Sequence, residues 1–238
     1  LENLDIVTEG VYDPGIFKAI FLAGGPGSGK SFIADVTTPG HGLKMVNSDT
    51  LFELLGKRAG LDMKNFPKSQ DAAKNKIRAI AKEKTNKQLV RFINGRLGLV
   101  IDGTGRSYSK IAKQYNTLKS LGYDNYMIFV NTTLEVALQR NQERPRTLKK
   151  NIVVDAWKNV QKNLGAFQSL FGKKQFKVVD NNVYVDDIKI FNEAWKDVMK
   201  FVRSPIENPI AKEWIKAELE SRKSGKSAST KEYKGSLL

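Results

Sequence analysis

The segment Gly24-Gly25-Pro26-Gly27-Ser28-Gly29-Lys30-Ser31 constrains this chain more than any other part of it. It satisfies G-x-x-x-x-G-K-[ST] in full. Its glycines let the backbone curl until successive N–H groups point inward at one anion. The stretch just before it, Lys18–Ala23 (KAIFLA), is a nearly continuous apolar run and predicts a buried strand of a parallel sheet. A helix is expected from Ser31 onward, and its positive end faces the same anion. Strand, glycine loop and helix in that order argue against a chance glycine-rich turn. The segment predicts a cradle for the phosphates of ATP, lined by Gly25, Pro26, Gly27, Ser28 and Gly29. Lys30 is placed to reach the β- and γ-phosphates, and the Ser31 hydroxyl to meet Mg²⁺.

Beyond the cradle, apolar runs alternate with amphipathic stretches. Strands are expected at 43–46, 97–101, 126–130 and 176–179, and helices at 50–59, 71–94, 110–121, 134–142, 151–171, 186–202 and 211–222. Leu51, Leu54 and Leu55 are expected to share the buried face of the second helix. Ile77, Ile80, Leu89 and Phe92 are the buried candidates of the third. Strands alternating with helices predict an α/β fold, a P-loop NTPase whose parallel sheet carries helices on both faces. The expected divisions are an N-terminal extension (1–17), the P-loop domain (18–204), and a basic C-terminal helix with a mobile Ser/Lys/Gly-rich tail (205–238).

Composition removes several kinds of chemistry. There is no cysteine, so thiolate nucleophiles, disulfides and cysteine-ligated zinc are excluded. The single histidine, His41, lies between two glycines, which argues against a Ser–His mechanism. No apolar run approaches the roughly 18 residues that a membrane helix needs. The first residues carry Glu2, Asp5 and Glu9 and do not read as a secretory signal, so no membrane and a cytoplasmic location are expected. The net charge of +15, from 40 Lys+Arg against 25 Asp+Glu, favours polyanionic partners, nucleic acid among them.

Which phosphate chemistry the cradle serves depends on the rest of the chain. No guanine-reading Asn-Lys-x-Asp segment is present. The strand ending LVID runs into Gly103, without the second acid that water-activating ATPases use beside the strand-end carboxylate. A kinase instead needs a base near the acceptor hydroxyl and cations near the migrating phosphoryl group. Asp49, following the second strand, is the candidate base, and it is equally a good helix N-cap. The ends of the first two strands are expected to open onto one crevice. Asp102 is a candidate for the Mg²⁺ shell or for orienting substrate, and Thr104 and Arg106 are candidate acceptor contacts. Arg140, Arg144 and Arg146 are candidates to fold over ATP and neutralise transferred charge, with Lys149 and Lys150 weaker ones. Each has a plain structural alternative: turn carboxylate, ordinary connecting loop, or solvated helix end.

In this order GGPGSGKS, VNSDT, GLVIDGTGR and the Arg-x-x-x-Arg stretch resemble the zeta-toxin/polynucleotide-kinase branch of P-loop kinases, over roughly residues 18–182. The segment 97–106 with LKSLGYDNYMIFV is most similar to zeta toxins. The resemblance implies a nucleoside-monophosphate-kinase-like fold using ATP and Mg²⁺. It implies Asp49 as base, Lys30 and Ser31 on phosphates and metal, Arg140 and Arg144 as lid arginines, and 102–106 at the acceptor site. In zeta toxins the acceptor is the 3′-hydroxyl of a UDP-activated amino sugar; in polynucleotide kinases it is a 5′-hydroxyl end. Two positions depart from the family pattern: Phe52 stands where polynucleotide kinases carry an arginine, and Asp102 where zeta toxins favour Glu. The sequence therefore predicts a phosphotransferase of zeta-toxin type. A 5′-hydroxyl polynucleotide kinase and a nucleic-acid-binding ATPase module are the alternatives. Expected partners are a small-molecule or nucleic-acid acceptor, with an inhibitor protein left open.

Overall fold

The computed structural model describes residues 11–13, 15–37, 42–63, 67–143, 147–182, 187–225 and 232–238. Five strands, β1 (Lys18–Ala23), β2 (Leu43–Val46), β3 (Gly98–Asp102), β4 (Asp124–Asn131) and β5 (Phe176–Asp180), form one sheet in the order β2-β3-β1-β4-β5. Every neighbouring pair is parallel. Parallel neighbours need crossovers, and helices supply them. They are α1 (Lys30–Thr37), α2 (Ser48–Arg58), α3 (Asp71–Asn94), α4 (Tyr108–Ser120), α5 (Leu134–Glu143), α6 (Lys150–Phe171), α7 (Asp187–Arg203) and α8 (Pro209–Lys223).

The central strand shows why such sheets read as continuous apolar runs. All six residues of β1 are buried. Ala19, Phe21 and Ala23 face a core built with Leu89 and Ile93 of α3, Ile111 and Leu118 of α4, Phe167 and Phe171 of α6, and Ala211 of α8. Ile20 and Leu22 face the opposite core, with Ile33 of α1 and Val198 and Val202 of α7. One strand thus feeds two apolar layers, as its lack of polar alternation requires.

Lys18, the charged residue of β1, is 1% exposed and does not break this pattern. Its ammonium donates to Asp124 Oδ2 at 3.1 Å, Ser204 Oγ at 3.1 Å and the Pro205 carbonyl at 3.3 Å. Asp124 also accepts from the Glu207 and Asn208 amides, so one buried ion pair joins β1 and β4 to the α7–α8 connection. Asn208 then caps α8 by accepting from the Ile210 amide, with Pro209 at the first helical position.

Two expectations are corrected here. Residues 232–238 do not form a mobile tail. Leu237 is buried in the core, and its backbone is held at both ends, its amide donating to Asn86 Oδ1 at 3.0 Å and its carbonyl accepting from Gln114 Nε2 at 2.7 Å. Asn94 exchanges two hydrogen bonds with the Tyr233 backbone. In α2 the buried residues are Phe52 and Gly56, while Leu54 is 46% exposed, because α2 packs on α3 and buries Phe52 there. Among the described residues no helix is long and apolar enough to cross a membrane.

Candidate active site

The glycine loop joins β1 to α1 at the carboxyl end of the sheet. Gly27 and Gly29 have φ of +77° and +90°, a region that L side chains rarely adopt. Space forbids side chains there as well. A Cβ on Gly27 would lie 2.5 Å from the Ala137 carbonyl oxygen, and one on Gly29 would collide with Asn181 Nδ2. Ser28 is buried and its hydroxyl has no hydrogen-bond partner, an orphaned polar group inside the loop. Lys30 Nζ lies back over the loop, donating to the Gly24 carbonyl at 2.6 Å and the Gly25 carbonyl at 3.1 Å.

A cavity of about 190 Å³ opens beside this loop. Its wall brings together Pro26, Lys30 and Ser31 from the loop and α1, Asn47 and Asp49 from the β2–α2 junction, and Asp102 and Thr104 from the end of β3. The sheet explains the convergence. Asp102 pairs in register with Leu22, so the β3 end lies level with the start of the glycine loop. The Gly24 amide donates to the Thr104 carbonyl at 3.3 Å, and the Gly103 amide to the Leu22 carbonyl at 3.0 Å. β2 is not next to β1, since β3 lies between them, so the expected first-and-second-strand crevice is widened by one strand.

Asn47 ties the end of β2 to the end of β3. Its Oδ1 accepts from the Asp49 and Thr50 amides, and its Nδ2 donates to Asp102 Oδ2 at 2.7 Å. Asn47, not Asp49, is therefore the N-cap of α2, with extended backbone at φ −141°. Asp49 falls in the first turn, and its carboxylate is released from capping and pairs with Arg78 of α3. The Arg78 guanidinium also lies 3.9 Å from the centroid of the Phe52 ring. Lys110 of α4 belongs to the same neighbourhood. Partial burial and the repulsion of Lys82 hold its ammonium below the usual lysine range, while Asp49 pulls the other way.

The remaining candidates separate. Arg140 lies at the glycine loop, not on the cavity wall with Asp49. It donates to the Asn181 carbonyl at 2.8 Å and to Asn181 Oδ1 at 3.4 Å, and Asn181 Nδ2 donates to the Ser28 carbonyl at 2.8 Å. Arg106 is exposed, and its carbonyl and that of Gly105 accept from Asn163 Nδ2 at 3.0 and 2.9 Å. Arg144 and Arg146 lie outside the described residues. Lys149 and Lys150 are exposed at the start of α6. Just before them, Asn141 and Leu148 exchange two hydrogen bonds that close the α5–α6 connection and bring Leu148 to the cavity.

Asn47, Glu53, Arg78, Lys110 and Asn181 are site residues that sequence reasoning missed. The Asn47–Asp102 pair is 55 residues apart, Asp49–Arg78 29 apart, and Asn181–Ser28 153 apart. Only Asn47, two residues before Asp49 at a strand-to-helix junction, had a local signal, since Asn is a favoured N-cap.

The cradle fits a phosphate-bearing ligand. Its glycine backbone leaves no room for side chains, it holds an orphaned buried hydroxyl, and Lys30 lies over it. Among the described residues no group of three or more acidic or imidazole side chains could hold a metal unaided. Ser31 and Asp102 lie on one wall and could supply oxygens to Mg²⁺, which takes one or two protein oxygens and completes its shell with phosphate and water.

Comparison with known proteins places this site in a family. The Zeta toxin family model matches residues 13–199. No significant match is found among curated proteins. Among solved structures, the chain is similar to a candidate kinase from Chloroflexus aurantiacus, with a TM-score of 0.52 and 13% identity over 76% of this chain and 98% of that one. It is likewise similar to a protein of the PezAT toxin-antitoxin system of Streptococcus pneumoniae, with a TM-score of 0.50 and 16% identity over 78% and 85% of the two chains. At these identities the structures establish a shared fold. The family match, which covers most of the chain, goes further: this protein belongs to the Zeta toxin family and is a P-loop kinase-like phosphotransferase.

Proposed function

We propose that the protein transfers the γ-phosphate of ATP to a hydroxyl of a nucleotide-sugar or a similar acceptor. The observation that carries this reading is the convergence of Lys30, Ser31, Asp49, Asp102 and Thr104 on one 190 Å³ cavity beside the glycine loop. Loop amides and Lys30 would hold the phosphates, and Arg140, tied to the loop through Asn181, would add positive charge. Arg144 is proposed for the same role from its position in the Arg-x-x-x-Arg stretch. Ser31 and Asp102 would hold Mg²⁺, which when bound neutralises phosphate charge. Asp49 would accept the proton of the attacking hydroxyl, and Thr104 and Arg106 would contact the acceptor.

The reading is tested by incubating the protein with γ-labelled ATP, Mg²⁺ and a panel of acceptors. Label on a UDP-sugar supports it. The Asp49→Asn variant should bind ATP nearly as well as the parent, with transfer lowered about 10²- to 10⁴-fold. Undiminished transfer would remove Asp49 from the role of base.

A second reading, a 5′-hydroxyl polynucleotide kinase, is favoured by one observation. Lys74, Arg78 and Lys82 recur at four-residue spacing along α3, and Arg78 pairs with Asp49 on the cavity wall. Label on a 5′-hydroxyl oligonucleotide instead of a UDP-sugar would select it.

A further inference from the structure

The amino end of the sheet carries a second cavity, larger than the one beside the glycine loop. Its volume is about 620 Å³, within the range of small-molecule sites. Lys18 and Asp124, the first residues of β1 and β4, pair in register and both line it. The glycine loop begins only after Ala23, so the whole of β1, six residues and roughly 20 Å long, separates the two cavities. A molecule held here does not touch the groups around the phosphate cradle.

The charges of this cavity are already matched within the protein. The Lys18 ammonium has three protons to donate, and Asp124 Oδ2, Ser204 Oγ and the Pro205 carbonyl accept them. Asp124 accepts in addition from the Glu207 and Asn208 amides. Lys18 Nζ lies 4.9 Å from the centroid of the Phe201 ring, and Lys119 Nζ 5.7 Å from that of Tyr115. Cations of the protein thus already lie over the two rings that a cationic ligand would seek. Lys119 and Glu207, both exposed on the lining, are opposite in sign. The arrangement favours a ligand without net charge.

One polar group of the wall is unmatched. Asn125 is 7% exposed and lines the cavity, and its Oδ1 has no hydrogen-bond partner. Its Nδ2 donates to the Tyr115 carbonyl at 3.1 Å, which fixes the amide orientation and leaves the oxygen as the unmet atom. A buried acceptor without a donor is uncommon and calls for one. Tyr115, Phe171 and Phe201 give the same wall aromatic surface.

We propose that this cavity is a second ligand site, separate from the phosphate cradle, and that it takes a neutral, flat aromatic molecule presenting an N–H donor to Asn125 Oδ1. The rings of the wall cover its apolar faces, and the single hydrogen bond orients it.

The test uses indole and benzofuran, which share a shape and differ in one N–H. Each is titrated into the isotopically labelled full chain, and amide resonances are followed by NMR. Indole should shift the Tyr115–Asn125 and Ser204–Asn208 segments and the Asn125 side-chain amide, leaving the glycine loop unmoved. It should bind about three- to tenfold more tightly than benzofuran, the gain of one net hydrogen bond. Asn125→Leu should erase that preference. Asn116→Trp, a change at an exposed residue of the lining, tests the place even where Asn125→Leu fails to fold. It should abolish the response to both compounds while a non-hydrolysable ATP analogue with Mg²⁺ still binds by calorimetry. No response to indole, shifts confined to other regions, or equal binding of the two compounds overturns the proposal. So does a response that survives Asn116→Trp or disappears when the ATP analogue is added. None of these results touches the kinase reading, which fails separately if the analogue does not bind.

Discussion

Two residues of the glycine loop divide the work of holding a polyanion. Gly29 supplies backbone that no side chain could share with Asn181, and Lys30 supplies charge. The lysine now satisfies loop carbonyls, contacts it would trade for phosphate oxygens. Because charge-assisted hydrogen bonds contribute about 1.5–3 kcal/mol each, Lys30→Ala should weaken ATP binding by about ten- to hundredfold and depress turnover as well. Calorimetry with ATP and Mg²⁺ checks the first effect and label transfer the second; turnover at the parental rate would show the cradle to be misassigned. Tyr126 gives a prediction of a different kind. Burial, with a smaller contribution from Asp197, pushes its hydroxyl pKa up to about 12 from 10.0. The folded state therefore favours the neutral phenol. Its contribution to stability is complete below about pH 10 and is lost as the pH rises toward 12. Denaturant melts across that range should show a decline in stability that Tyr126→Phe reduces.

Among the elements, α3 connects the core to the site. Ala81, Thr85, Leu89 and Ile93 are its buried residues, one straight stripe at four-residue spacing. Of the four candidates read from the sequence only Leu89 lies in that stripe, since Ala81 and Thr85 carry too little apolar area to stand out by composition. Ile77, Ile80 and Phe92 are half-buried at its margins. Along its N-terminal half α3 meets α2 and presents Arg78 to Asp49. Its other end is strapped by residues 232–238, whose backbone bonds to the side-chain amides of Asn86 and Asn94. Leu237→Ala removes the apolar anchor of that strap. Leu→Ala changes in cores cost about 2–5 kcal/mol. The urea midpoint should fall accordingly with the slope unchanged, whereas an unaltered midpoint would mean that the strap contributes little to stability.

At the scale of the whole molecule, boundaries were legible and neighbours were not. β1 and β2 lie at the residues their apolar runs predicted, α3 spans its predicted range, and the P-loop lies between strand and helix as its motif demands. These features depend on local chemistry: apolar continuity for a strand buried on both faces, glycines where the backbone must turn, periodicity for a helix. The order β2-β3-β1-β4-β5 depends on which crossovers pack, and no local run of residues encodes it. That order puts Asp102 between the loop and Asn47, and the packing of α2 on α3 brings Asp49 to Arg78. It also carries Asn181 back to the loop from the end of β5. The sequence by itself determined that a phosphate cradle exists and which strand and helix hold it, because that information lies within eight consecutive residues. Only the tertiary structure decided what surrounds the cradle. Asn181 reaches it across the fold, Arg78 likewise reaches Asp49 on the neighbouring cavity wall, and distance along the chain says nothing of proximity once a sheet has folded its strands out of order.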